Sequence, residues 1–287
     1  MGGGEGDMLG STGLLEQQKI LMWETLAQLT TPEIQRVVEF AKRIPGFADL
    51  GQEDQLALIK QGFFEVWLIR LARMFHPHTA TLTLADGQYA TREQMEIVYN
   101  TELVNMMFKF SMDFNSLHLN DGEIGLFTAV ILLTRDRLGL LEPSQVEAMQ
   151  EKLIEALKLQ LSRSHSADPS IFPNLFMKAT TLRDIGSKHN EVLGWYRTNW
   201  QRLKLPPLYA EIYDIPKGGY EDAGQPPPAQ PGPPQVVGGY GMGVGAADPP
   251  GSSPTSPLVG YPSCGGPLGP PDGGSLLALA PPSAGHC

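Results

Sequence analysis

Apolar residues recur at three- and four-residue spacing along most of the first 215 positions, the period of helices with one buried face. LLEQQKILMWETLAQLT, from Leu14 to Thr30, is helix-compatible. A second helix is then predicted to start with Thr31 as N-cap and Pro32 at its first position, to carry Ile34, Val37, Val38, Ala41 and Ile44 on one face, and to end at Pro45-Gly46. From about Glu53 to Phe75 apolar residues occupy almost every side, which predicts a helix at the centre of a domain rather than on its surface. TATLTLADGQYA alternates around the turn dipeptide Asp86-Gly87 and predicts a small hairpin, the only strand signal. Helical spacing resumes over roughly 92–114, 120–138, 143–164 and 170–203, and Pro206-Pro207 precede a last short segment, LYAEIYD. The expectation is a single all-α domain over 14–215, with about ten helices and one small β-hairpin, and no repeat of 20 to 50 residues.

Composition separates both ends from this core. Residues 1–13 are glycine-rich and expected to be flexible. From Pro216 to Cys287 the chain holds 17 of the 32 glycines and 17 of the 25 prolines, too few burying residues for a second domain, so 216–287 is expected to be a disordered tail. Its GSSPTSP stretch offers Ser-Pro steps for phosphorylation, or is simply flexible chain.

A net charge of -10 without clustered Lys and Arg argues against direct nucleic-acid contact within this chain. Both cysteines, Cys264 and Cys287, lie in the tail, so the helical region has no disulfide framework or paired zinc ligands and suits a reducing compartment. The longest apolar run, around Ile124 to Thr134, is too short to span a bilayer, and the start has no signal-peptide form; no membrane is implied and a soluble intracellular protein is expected. No serine-hydrolase elbow, phosphate-binding glycine loop, zinc-protease pair or paired-carboxylate signature is present, and the protein is not expected to be an enzyme.

The chemistry that remains is a docking surface. On a helical wheel LYAEIY puts Leu208, Tyr209, Ile212 and Tyr213 on one arc, with Glu211 at its edge. So short a helix must dock to persist, and docking can be switched. If it packs near the helix ending at Lys42, an apolar groove results with Glu211 at one end and Lys42 and Lys60 at the other. A partner helix would then be held by its positive N-terminal and negative C-terminal ends, with leucines at i, i+3 and i+4 on the floor formed in part by Leu208 and Ile212. The ordinary reading of either lysine is a stem laid over apolar surface with its ammonium in water.

Phe40-Ala41-Lys42, Phe47, Leu50, Asp54-Gln55 and Leu58-Ile59 resemble the signature of nuclear-receptor ligand-binding domains, and LYAEIY is similar to their terminal activation helix. The likeness runs from Trp23 to about Tyr213. VVEFAKRIPGF, LNDGEIGLFTAVIL and LRDIGSKHNEVL look most like the Rev-erb group, in particular its arthropod branch, ecdysone-induced protein 75. The resemblance implies a three-layer helical sandwich, transcriptional regulation in the nucleus with repression favoured, co-regulator helices in the groove, other nuclear receptors as dimer partners, and haem as ligand.

It also implies that His189 is an axial ligand of the haem iron, a role suited to a neutral buried imidazole. On its residues alone, a histidine between Lys188 and Asn190 reads as an exposed helix position. The opposite ligand in the Rev-erb group is a cysteine just before the helix near Thr31, and no cysteine precedes Cys264 here. The iron is therefore expected to be five-coordinate, to take another histidine, with His76 and His78 as candidates, or to take a residue from a segment outside this sequence, and an open or weakly held position would let nitric oxide or carbon monoxide bind and alter the terminal helix. Rev-erb domains of vertebrates stop short of that helix, whereas this chain keeps PPLYAEIYD, as the retinoid-orphan receptors do. The rival reading keeps the fold without haem: a lipid-like ligand, or a pocket filled by side chains such as Trp67, Met74 and Phe75. A third makes the chain chiefly a dimerisation module, using the exposed face of 169–203. No zinc-finger DNA-binding domain precedes the region, so the chain reads as a fragment or as an isoform acting through partners.

Overall fold

The computed structural model describes residues 5–84, 87 and 89–216, with side chains from residue 13 onward. The tail expected over 216–287 lies outside the described residues apart from Pro216.

The first helix differs from the sequence expectation. Instead of two helices meeting at Thr31, one helix, α1 (Glu5–Lys42), runs through Pro32. Its backbone begins inside the glycine-rich lead. Thr31 does not cap; its hydroxyl donates to the Ala27 carbonyl at 2.8 Å, a bond within the helix. The reason is packing. Trp23, Leu26, Ala27, Thr30, Ile34, Val37 and Ala41 form one uninterrupted buried stripe across the proline, and tertiary burial outweighs the hydrogen bond that proline removes.

Gly46, at φ 85°, takes the left-handed turn that ends this segment, and a 3-10 turn, Phe47–Asp49, leads to α2 (Gln52–Ala72). As its all-round hydrophobicity predicts, α2 is central, and α1 packs along it. Three short antiparallel strands follow: β1 (Phe75–His76), β2 (Thr81–Thr83) and β3 (Tyr89–Thr91), with Thr81 opposite Thr91 and Phe75 opposite Leu82. The hairpin is as expected; β1 adds a third strand that its two-residue length hid.

The helical run predicted over 92–114 is divided. Asn100, at φ 72°, ends α3 (Arg92–Tyr99) and caps α4 (Thr101–Asn115), its side chain accepting from the Leu103 N–H. At φ 72° and ψ 162° Asn100 lies outside the left-handed helical region, in backbone otherwise almost confined to glycine, where it serves both as the end of α3 and as the cap of α4. A reciprocal capping box of Asn120 and Glu123 starts α5 (Asp121–Leu132), and α6 (Pro143–Ser164), α7 (Ile171–Thr198), a 3-10 turn at Trp200–Arg202 and α8 (Pro207–Ile212) complete the fold. Among the described residues this makes eight α-helices and two 3-10 turns, near the ten helical segments expected. The arrangement is a helical sandwich: α2 and α5 lie inside, α1 on one side and α7 on the other, with α6 packed on α5 and α7.

The segment between α5 and α6 is tied to α2. Buried Asp54 accepts from the N–H groups of Leu141 and Glu142 at 2.7 and 2.9 Å, while Gln61 both donates to and accepts from the backbone of Leu138. This carries Arg137 inward to a two-bonded pair with Glu65, at 2.9 and 2.7 Å. At Gly62 a Cβ would lie 3.0 Å from Leu132 Cδ1, so the absence of a side chain there lets α5 approach α2.

Candidate functional site

Helix α8 is seated on α1 and α2, as the wheel of LYAEIY required. Tyr209, Ala210, Ile212 and Tyr213 are buried, while Leu208 and Glu211 are half-buried. Six residues form only one and a half turns, so tertiary contacts must hold them. Tyr209 stands edge-on to Trp23 of α1 at 5.9 Å, and Tyr213 edge-on to Phe63 of α2 at 5.9 Å. Trp23 is in turn stacked on Tyr196 at 3.6 Å and edge-on to Tyr99 at 5.8 Å. Aromatic edge-to-face pairs of this kind contribute about 0.5–1.5 kcal/mol each beyond burial.

Polar contacts close the end of α8. Arg197 of α7 donates twice to the Tyr213 carbonyl, at 3.1 and 2.9 Å, meeting an acceptor that the helix itself leaves unpaired. Asp214 then turns at φ 51° and its carboxylate pairs with Lys60. Just upstream, the Lys204 N–H donates to Glu24 and Arg202 pairs with Glu16, so α1 also holds the approach to α8.

The predicted groove residues are thus distributed as follows. Lys60 and Ile212 come together at the C-terminal end of α8, on a cleft of about 730 Å³ that Phe64, His189 and Arg197 also line. Lys60 already has a partner within the chain. Lys42 occupies the last turn of α1 and reaches Glu39 of its own helix at 3.6 Å. Glu211 lies on α8, which packs mainly on α1 and α2, the helices that carry Lys42 and Lys60.

His189 is not the exposed residue its flanks suggest; it is 2% exposed. Leu182, Ile185, His189, Leu193 and Tyr196 form the buried stripe of α7, and that spacing was the available signal. Its ring is stacked on Phe64 at 3.7 Å and lies 5.6 Å from Tyr99 and 5.2 Å from Tyr213. Burial, and secondarily the Arg197 guanidinium, push its pKa down to about 3, so the imidazole is neutral at physiological pH. Its Nε2 has no hydrogen-bond partner among the described residues, and neither has the indole N–H of Trp23.

As an iron ligand, His189 has the right donor chemistry: neutral, buried and unpartnered at Nε2. The space around it is filled by Phe64, Tyr99 and Tyr213. Neither His76 nor His78 is on its cleft; both are exposed, and His76 is hydrogen-bonded to Thr83 at 2.8 Å. Among the described residues no group of three or more His, Cys, Asp or Glu could hold a metal ion. Of the pocket-filling residues expected, Trp67 and Phe75 are buried and Met74 is half-buried, but the rings around His189 are mainly others: Phe64, Tyr99 and Tyr213, with Trp23, Tyr196 and Tyr209 beyond. Arg197 and Asp214 are further residues that the sequence reading missed.

Comparison with known proteins places this geometry in a wider group. The family model for the ligand-binding domain of nuclear hormone receptor matches residues 11–198. The chain is similar to ecdysone-induced protein 78C of Drosophila melanogaster, 50% identical over 210 residues that make up 72% of this chain and 24% of that protein. It is also similar to nuclear receptor subfamily 1 group D member 2 of Rattus norvegicus, a Rev-erb protein, 41% identical over 172 residues, 60% of this chain and 30% of that protein. The chain therefore spans about a quarter to a third of the length of these relatives. Among the described residues no helix is long and apolar enough to cross a membrane.

Proposed function

The chain belongs to the ligand-binding domains of nuclear hormone receptors, and from that premise we propose that it regulates transcription in the nucleus by using α8 as a movable cap that selects co-regulator helices. The observation that carries this is the seating of α8 on α1 and α2, with Tyr213 against His189. With α8 docked, Glu211 borders a groove for a short leucine-bearing helix whose other end is held by Lys42 at the end of α1. With α8 displaced, the surface under it becomes available to a longer corepressor helix. Repression thus depends on α8 leaving its seat, and dimerisation with another receptor is compatible with either position.

Haem bound through His189 would supply an iron centre able to take up nitric oxide or carbon monoxide. The chain's own part is to keep His189 neutral and to make room. Phe64 lies within the 21-residue α2 and Tyr99 ends α3, which packs on both α1 and α4, whereas Tyr213 follows a helix of six residues, so space at His189 comes most cheaply by moving Tyr213 and with it α8. The second reading, a pocket filled by its own side chains, is favoured by the stacked Phe64–His189 and Trp23–Tyr196 pairs.

Absorption spectra of the purified chain with added haemin separate the two. A Soret band shifted by binding in the wild type and lost in His189→Ala supports ligation. Identical spectra for both proteins remove it and leave the filled pocket. Independently, a co-regulator peptide should bind the wild type and lose affinity about tenfold or more in Lys42→Ala and in Glu211→Ala; unchanged binding in both variants would remove the groove.

A further inference from the structure

We infer that a second cleft, where α1 and α5 flank α2, is a binding site for a small ligand with an apolar body and one carboxylate. It shares no lining residue with the cleft at His189, and it does not depend on the function proposed above.

The cleft follows from the packing. Helices α1 and α5 each lie on α2 and scarcely meet each other, so a gap of about 350 Å³ remains between them, a volume within the range of small-molecule sites. Val37 and Phe40 of α1, Val66 of α2, Ile124 of α5 and Met74 just past α2 supply apolar wall. Gly125 also lines it, in the interior of α5, where glycine disfavours a helix. Close packing does not require this glycine: a Cβ at Gly125 would meet nothing within 4 Å, whereas one at Gly62 would lie 3.0 Å from Leu132. What the missing side chain leaves is room in the cleft.

The charge on the cleft selects the other half of the ligand. Arg36, Arg70 and Arg73 line it with one carboxylate, Asp121, which pairs with Arg73 at 2.7 Å. Arg36 and Arg70 both converge on buried Glu33, so two positive charges there face one negative charge. Arg70 spends only its Nε on Glu33, at 2.9 Å; neither of its Nη groups has a partner among the described residues, and its side chain is 42% exposed. Glu33 thus steadies a guanidinium whose outer donors stay open on the cleft. A carboxylate accepts two parallel bonds from such a fork and balances the excess charge, while a neutral group does only the first in part and a cation neither. The body of the ligand then lies on Phe40, Met74 and Ile124, all half-buried.

Naphthalene-2-carboxylate and naphthalene-2-carboxamide, alike in shape and different in charge, test this by isothermal titration calorimetry on the whole chain. The carboxylate is expected to bind the wild type about fivefold more tightly than the amide, a ratio in keeping with partly exposed charges. Arg70→Gln should remove most of that preference. Gly125→Leu should abolish binding of both compounds with the melting temperature kept or raised, and Arg197→Gln, on the other cleft, should change neither affinity. Equal affinity of the two compounds for the wild type, or no binding of either, overturns the inference. So does carboxylate binding that survives Gly125→Leu or is lost in Arg197→Gln, because the ligand then sits elsewhere. Should Arg70→Gln fail to fold, Gly125→Leu, whose Cβ meets nothing, still decides the site.

Discussion

The His189 ring lies 3.7 Å from that of Phe64, nearly parallel at 9°, and 5.2 Å from Tyr213 just beyond α8. One side chain of α7 therefore touches both the centre of the domain and its terminal helix. Any change of charge or volume at His189 is felt by both.

Charge is the first test. The folded pKa of His189, about 3, lies below the ordinary value of 6.5, so the unfolded chain binds the extra proton first. The stabilisation is fully present above pH 6.5 and is lost progressively as pH falls from there toward 3. Each unit of pKa difference corresponds to about 1.4 kcal/mol. Denaturant unfolding at stepped pH should show the decline in the wild type and a shallower one in His189→Phe; equal slopes between pH 6.5 and 4 would contradict it.

Arg197 tests the latch. Arg197→Ala removes two charged hydrogen bonds to the Tyr213 carbonyl, and exchange of amides in 209–215 should quicken about tenfold or more, equivalent to about 1.4 kcal/mol or more. Exchange in α2 should not change. Uniform acceleration across the domain would show that Arg197 supports the fold rather than α8.

The buried pair of Glu65 and Arg137 supports the scaffold instead. Their side chains are 6% and 2% exposed, and Arg183 also approaches Glu65 at 3.4 Å. Arg137→Met strands a buried carboxylate and should cost about 3–5 kcal/mol in denaturant unfolding. A loss under 1 kcal/mol would mean that Arg183 replaces Arg137.

Trp23 joins the two halves of the aromatic cluster, fully buried between Tyr196, Tyr99 and Tyr209. Trp23→Ala should cost about 3–5 kcal/mol and also loosen α8, while Trp67→Ala, whose ring meets Phe64 and neither Tyr209 nor Tyr213, should cost comparable stability without loosening it. Thermal unfolding combined with hydrogen exchange distinguishes them.

Much of this architecture was legible because it depends on period. The all-round hydrophobicity of α2, the alternation around Gly87 and the arc of LYAEIY each specify a burial pattern directly. What stayed hidden depends on competition between local and distant forces. Thr31-Pro32 has the local form of a helix start, yet the stripe from Trp23 to Ala41 carries α1 through it. His189 looks exposed from its neighbours and buried from its spacing, and spacing prevails. The Lys60–Asp214 pair joins positions 154 apart in the chain, a relation that no local pattern encodes.

The central claim is that seating of α8 chooses the partner. Its most direct test is the ratio of affinities for a short coactivator-type helix and a longer corepressor-type helix, compared between the wild type and a Tyr209→Ala, Tyr213→Ala double variant. The account predicts a shift of at least about tenfold toward the longer helix when the two tyrosines are removed. An unchanged ratio, with the variant still folded by circular dichroism, would contradict it.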